Sequence, residues 1–230
     1  MRLDKWIQKY CQCGKSSARL MIARGSVVVN AEVIRDSLFE VHQFLEIELD
    51  GKLVQSKEAH YIMLHKPAGV VSATTDPEHK TVIDLIDEEY ANTLHLAGRL
   101  DKESTGLMIL TNDGQWSRML TEPTEVIPKA YIVTTEVEIG IETVAAFEQG
   151  FYFAYEDMTT LPAHLEVLSS NEARVVIYEG KYHQIKRMFH AVGNRVTSLH
   201  RESIGTIVLD GNLPLGAYRC LRSDEINRVK

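Results

Sequence analysis

No stretch of this sequence approaches the roughly 18 consecutive apolar residues that a membrane-spanning helix requires. Its first ten residues, MRLDKWIQKY, form an amphipathic pattern and not the apolar core of a secretory signal. A cytoplasmic chain with no membrane partner is therefore expected. Cysteine is scarce: Cys11, Cys13 and Cys220 make an odd number without the paired spacings of a zinc ribbon, and a cytosolic chain keeps such thiols reduced. Neither a disulfide framework nor a metal centre is expected. Cys11 and Cys13 fall two apart on an expected helix, which points them to different faces. Internal repeats and low-complexity tracts are also missing, as is a regular alternation of strand and helix. The 230 residues, 44% hydrophobic and 25% charged, suffice for one large domain or two unequal ones. The irregular mixture of elements predicts an α+β fold with a largely antiparallel sheet, not a doubly wound one.

An excess of positive charge is lacking too. The net charge is -7, which taken as an average argues against a nucleic-acid partner. The distribution says otherwise. Residues 1 to 25 carry Arg2, Lys5, Lys9, Lys15, Arg19 and Arg24 against Asp4 alone, and residues 180 to 201 carry Lys181, Lys186, Arg187, Arg195 and Arg201 with no acid. Two basic islands in an otherwise acidic chain fit a confined phosphate footprint, because non-specific RNA affinity comes from clustered Lys and Arg. Taken singly, either island is equally a solvated helix face.

Along the chain, Leu3, Trp6, Ile7, Tyr10 and Cys11 share one helical face, and a second helix, capped by Ser16 or Ser17, is predicted through Arg24 to Gly25. Val27 to Asn30 reads as a strand with a turn at Asn30-Ala31, and Asp50-Gly51 as the turn of a hairpin. Gln55 to His60 is a short polar linker, across which inter-domain motion is expected. Tyr61 to Leu64 reads as a central strand, residues 65 to 77 as a loop punctuated by Pro67, Gly69 and Pro77, and Thr81 to Ile86 as a short helix. Asp113 can cap a helix over Gln115 to Leu120, closed by Pro123. Lys129 to Val133 opens a strand, and Glu142 to Gln149 is a helix ended by Gly150. Pro162 to Leu168 and Ala173 to Tyr178 alternate as paired strands. A Gly180 turn leads into a helix ending near Gly193, with Lys186 and His190 one turn apart on the same face. The tail from Leu213 to Lys230 offers turn residues and a short final helix.

One stretch, HLAGRLDKESTGLMILTNDG over residues 95 to 114, sets a carboxylate, Asp101, on a loop between two apolar segments. An arbitrary loop Asp is more often a turn or capping residue. GRLDKESTGLMILTNDG, however, resembles the active-site signature of pseudouridine synthases, most closely the RsuA type that modifies small-subunit ribosomal RNA. Three further segments resemble that family's motifs: Lys66-Pro67-Ala68-Gly69, which we read as scaffold; Lys129-Ala130-Tyr131; and EGKYHQIKRMF over 179 to 189. RLDKWI with SSARLMIARGSVVVN is similar to the S4 RNA-binding domain. By residue type alone Tyr131 is an ordinary strand aromatic.

The resemblance implies an N-terminal S4 domain over 1-57 and a catalytic domain over 58-230 with a mixed, mainly antiparallel central sheet. It implies isomerisation of a uridine in ribosomal RNA, uridine 516 of 16S rRNA in the branch it most resembles, although relatives acting on 23S rRNA share the same motifs. Asp101 would be the essential carboxylate, as nucleophile at C1′ or as base at the 2′ position. Tyr131 would stack on the extruded uracil, and Lys186, or in second place Arg187, would pair with Asp101. Arg2, Lys5, Lys15, Arg19, Arg24, Arg99 and Arg187 are the expected RNA contacts. No cofactor is implied, since nothing is oxidised or transferred from elsewhere. The expected partner is 16S rRNA or a small-subunit assembly intermediate, met by a monomer. Two rival readings are an S4-type assembly factor without catalysis and a glycosidase; the latter usually needs a second carboxylate, for which Glu103 is the nearby candidate. His183, His190 and His200 have no carboxylate or thiol set that would make them metal ligands, and isolated histidines are usually structural.

Overall fold

The computed structural model describes residues 1–122 and 126–229; Pro123, expected to close a helix, lies outside them. The chain folds as two compact units, Met1–Ala59 and His60–Lys230.

In the first unit, helices α1 (Leu3–Cys11) and α2 (Lys15–Ala23) precede a small antiparallel sheet of β1 (Val27–Val29), β2 (Glu32–Val33), β3 (Ile47–Leu49) and β4 (Lys52–Gln55), in the order β2-β1-β3-β4. Leu3 and Ile7, one turn apart, meet Ala18, Ile22, Val27 and Ile47 in its core. Tyr10, expected on the buried face, is exposed and stacks on Trp6 at 5.2 Å, while Cys11 in the same last turn packs against the core. Gln12 adopts a left-handed conformation there (φ 51°), so Cys13 lies beyond the helix and not on it. The second helix starts two or three residues earlier than its serines suggest: Gly14, not Ser16 or Ser17, is the N-cap, and its carbonyl accepts from Ala18 N at 3.0 Å. Asn30-Ala31 and Asp50-Gly51 turn with positive φ at both central residues, the twist that suits tight hairpins.

The second unit is built on a mixed sheet of order β11-β12-β8-β13-β7-β5-β15. Its strands are β5 (Tyr61–Lys66), β6 (His95–Leu96), β7 (Thr105–Thr111), β8 (Lys129–Thr135), β11 (His164–Ser169), β12 (Glu172–Ile177), β13 (Val196–Ile204), β14 (Ile207–Val208) and β15 (Tyr218–Cys220), with β6 on β7 and β14 on β13. A separate hairpin is formed by β9 (Tyr152–Phe153) and β10 (Met158–Thr159). Helices α3 (Gly114–Thr121), α4 (Ile141–Gln149), α5 (Gln184–Ala191) and α6 (Ser223–Asn227) complete the unit. Among the described strands of this sheet, β13 pairs with β7 in parallel and the other pairs are antiparallel.

Alternating side chains bury two faces. Leu64, Met108, Leu110, Val133 and Val175 join Phe147 and Phe189 in one core, while Met63, Leu107, Ile109 and Trp116 form another on the opposite side. The Tyr61 strand is interior but next to the sheet's edge, between β7 and β15, the latter hidden in a tail that reads as turns. The expected helix at 81 to 86 is one 3-10 turn, Ile83–Leu85, braced by Asp84 Oδ2, which accepts from Thr81 N at 2.7 Å. Asp113 caps α3, accepting from the backbone of Gln115 and Trp116.

Candidate active site

The loop between β6 and β7 carries Asp101, and its backbone is fastened on both sides of that residue. Leu100 is held twice by Ser72 Oγ, which donates to its carbonyl at 2.6 Å and accepts from its N–H at 3.0 Å. Lys66, fully buried at the end of β5, points its ammonium at three carbonyls: Pro67 at 3.0 Å, Lys102 at 3.0 Å and Ser104 at 2.8 Å. Gly69 N donates to the same Lys102 carbonyl at 2.9 Å. Arg201, 2% exposed on β13, donates from Nε to Leu107 O at 2.8 Å and from its guanidinium to Arg99 O at 3.2 Å. Burial pushes the Lys66 amine down to about 8. Both cations meet carbonyl dipoles that belong to or flank the loop, the arrangement that makes burial of a charge tolerable.

Asp101 itself is partly exposed, with 28% of its side chain accessible. Lys186 Nζ on the first turn of α5 donates to Asp101 Oδ2 at 2.6 Å, and His183 Nε2 lies 3.3 Å from Oδ1. Each carboxylate oxygen thus has its own partner, and both partners come from one segment, 85 and 82 residues further along the chain. His183 is the N-cap of α5 with φ 49° and ψ 31°, an uncommon conformation for a residue with a side chain and one that turns its ring toward the carboxylate. Sequence reading passed over His183 as an isolated histidine. The signal available was its place between the Gly180 turn and Lys186.

An open cleft around Asp101 is walled by Arg99, Ser104, Tyr131, Lys181, His183 and Lys186 with the apolar Leu100, Ile177 and Leu199. Tyr131 on β8 is buried to 7% exposure yet reaches this wall, so one side chain serves the core and the cleft together. The structure brings Asp101, Tyr131, Lys186 and Arg99 to one cleft. Arg187 does not pair with Asp101. It points the other way along α5, where it forks onto Glu156 at 2.7 and 2.8 Å and lies over the Phe153 ring at 3.6 Å. This partner holds the Glu156 carboxyl below its ordinary range. Arg201, counted with the second basic island, contributes no surface charge because it is buried. Among the described residues, no group of histidines, cysteines and carboxylates could hold a metal ion.

In the first unit Lys5, Lys15, Arg19 and Arg24 are exposed and Arg2 is partly so. Arg2 and Arg19 both reach the buried Asp4, at 2.5 and 3.5 Å, and the hydrogen bond from Arg2 is the main cause that lowers the Asp4 carboxyl. Arg24 reaches Asp50 at 3.2 Å.

A mixed sheet presents one carboxylate, clamped between a lysine and a histidine beside a tyrosine, an arrangement able to serve chemistry centred on a single acid. The chain belongs to the RNA pseudouridylate synthase family, whose model matches residues 60–191, and is an isomerase that converts uridine to pseudouridine. It is 49% identical over 230 residues to ribosomal small subunit pseudouridine synthase A of Pseudomonas aeruginosa, and 43% identical over 230 residues to the protein of that name from Escherichia coli strain K12, each match covering the whole of both chains. Among solved structures, a crystal structure of a pseudouridylate synthase superposes with a TM-score of 0.73 at 38% identity, again over the whole of both chains.

Proposed function

We propose that this protein isomerises one uridine of small-subunit ribosomal RNA, uridine 516 of 16S rRNA being the finer assignment, with Asp101 as the essential carboxylate. The observation that carries this reading is the clamp on Asp101: Lys186 at one oxygen and His183 at the other, in a cleft that Tyr131 walls. The substrate class rests on full-length relatives named for the small ribosomal subunit. In the reaction the C1′–N1 bond breaks, the uracil turns and C5 bonds to C1′; the hydrogen leaves C5 and N1 ends protonated. Electrons balance within the nucleotide, so the chemistry calls for no redox cofactor.

The target base must leave its stack, which costs a few kcal/mol. Tyr131 would receive the extruded uracil on its ring and assist removal of the C5 proton. Lys186 would hold the carboxylate in place by a charge-assisted hydrogen bond while Asp101 attacks C1′ or takes the 2′ proton. Arg99 and Lys181 at the rim suit the flanking phosphates. The first unit, with exposed Lys5, Lys15, Arg19 and Arg24 on or beside two short helices, would act as an S4-type RNA grip to which Arg2 contributes. Arg187 would reach RNA only from its clasp with Glu156. All catalytic groups come from one chain, which suits a monomer.

A hydrolase reading fares worse, because glycosidases generally place two carboxylates across the bond. Among the described residues that line the cleft, Asp101 is the one acid.

Replacing Asp101 with Asn should abolish pseudouridine formation while RNA binding is retained; modification at the unaltered rate would overturn the assignment. Mapping pseudouridine in ribosomal RNA from cells lacking this protein should show one site missing from 16S rRNA. A site missing from 23S rRNA instead would overturn the substrate choice.

A further inference from the structure

We infer that Tyr182 is a stacking platform for an unpaired RNA base next to the target uridine, an inference that rests on the function proposed above. Tyr182 is 75% exposed, unusual for so large a ring at the mouth of a catalytic cleft. It is nevertheless well placed. Its ring stacks on the His183 imidazole with centroids 3.9 Å apart and planes 19° from parallel, and that imidazole reaches Asp101 at 3.3 Å. Two aromatic rings therefore rise in a stack from the carboxylate outward. One face of the outer ring is covered by His183 and the rest is open to solvent.

The turn that carries the pair is fixed from both sides. Gln184 accepts from Lys181 N at 3.0 Å and donates to Glu179 at 2.8 Å. The Tyr182 carbonyl accepts from Arg187 at 3.4 Å, and Arg187 is itself locked by Glu156 and Phe153. A ring held in this way loses little freedom when a base stacks on it, which favours binding. A uridine extruded toward Asp101 drags its neighbour out of the helical stack, and that neighbour needs a new π surface. Tyr182 offers one a single ring away from the reacting carboxylate. Every base has a π face, so this contact adds affinity without selecting sequence.

The test uses an RNA oligonucleotide spanning the modified uridine, with 2-aminopurine on its 5′ or 3′ side, and full-length protein carrying Asp101→Asn so that binding is read without turnover. Stacking on Tyr182 should quench the fluorophore on one side of the target. Adding Tyr182→Ala should remove that quench and weaken binding by about fivefold to a hundredfold, whereas Tyr182→Phe or Tyr182→Trp should restore both. In the background with Asp101 intact, Tyr182→Ala should raise KM and leave kcat at saturating RNA within about twofold. Unchanged affinity, a loss that Phe does not restore, or a loss confined to kcat would each overturn the platform, the last by reducing Tyr182 to a support for His183. Pseudouridine formation by the unaltered protein is scored in parallel. Its absence would retire the proposed function, whereas modification together with unchanged Tyr182→Ala binding retires the platform alone.

Discussion

A lysine ammonium without solvent must find acceptors within the fold, and Lys66 finds three backbone carbonyls, two of them in the loop that carries Asp101. Replacing Lys66 with Met keeps much of the volume and removes this donor from all three carbonyls, of which Lys102 O keeps Gly69 N. The expected result is a loss of about 2–4 kcal/mol in denaturant unfolding, with a fall in kcat as the loop loosens. The same residue gives a pH signature. Its amine titrates near 8 in the folded chain, against an ordinary 10.5, chiefly through burial. Between those values the unfolded chain holds a proton that the folded chain has released, so stability from this group rises with pH across that window. The gap between wild type and Lys66→Met should therefore widen from about pH 8 to about pH 10.5; a gap that narrows would contradict the assignment. Asp101 and Lys186 were legible because a signature marks each. His183 and Arg201 were not: a histidine's backbone angle cannot be read from its neighbours, and counting charge treats every arginine as solvated. Whether Arg201 faces water is decided by its register against Gly106.

At the scale of elements that register is the informative feature. Arg201 lies opposite Gly106 where β13 runs parallel to β7. Gly106 has φ +109°, and a Cβ added to it would sit 2.3 Å from the Arg201 carbonyl oxygen and 2.5 Å from its nitrogen. Gly106→Ala must therefore part the two strands, with an expected cost of about 3 kcal/mol or more and a loss of activity larger than that of an alanine at Gly69, where a Cβ meets nothing. Paired thermal melts and rate assays would check both. Helices with clear periodicity, such as α1, α4 and α5, were readable within a residue or two, as were hairpins announced by Asn-Ala and Asp-Gly. β15 was not. Three residues, Tyr-Arg-Cys, carry no alternation that could be counted, and they are a strand only because β5 offers an edge.

For the whole molecule, the cores tell most. Every member of the first unit's core comes from residues 3 to 54, and the other two cores draw only on residues 61 to 229. Ile7→Ala should cost the first unit about 2–5 kcal/mol. Amide exchange should quicken in α1, α2, β1 and β3, while β7, β13 and α5 keep their protection. If that unit grips RNA as proposed, KM rises and kcat at saturating RNA stays; a fall in kcat alone would sink the division of labour. The two basic islands were visible as charge, but not what occupies them: Asp4 gathers Arg2 and Arg19, and Glu156 holds Arg187.

The clamp on Asp101 has a consequence for a chain still being made. The carboxylate is synthesised 85 residues ahead of Lys186, and the Arg201 that fastens its loop comes a hundred residues after Asp101. A nascent chain therefore carries Asp101 long before it carries the partners that clamp it. Until those partners are made and docked, Asp101 has neither its clamp nor its fastened loop, and a fragment ending before His183 carries it as an unclamped acid.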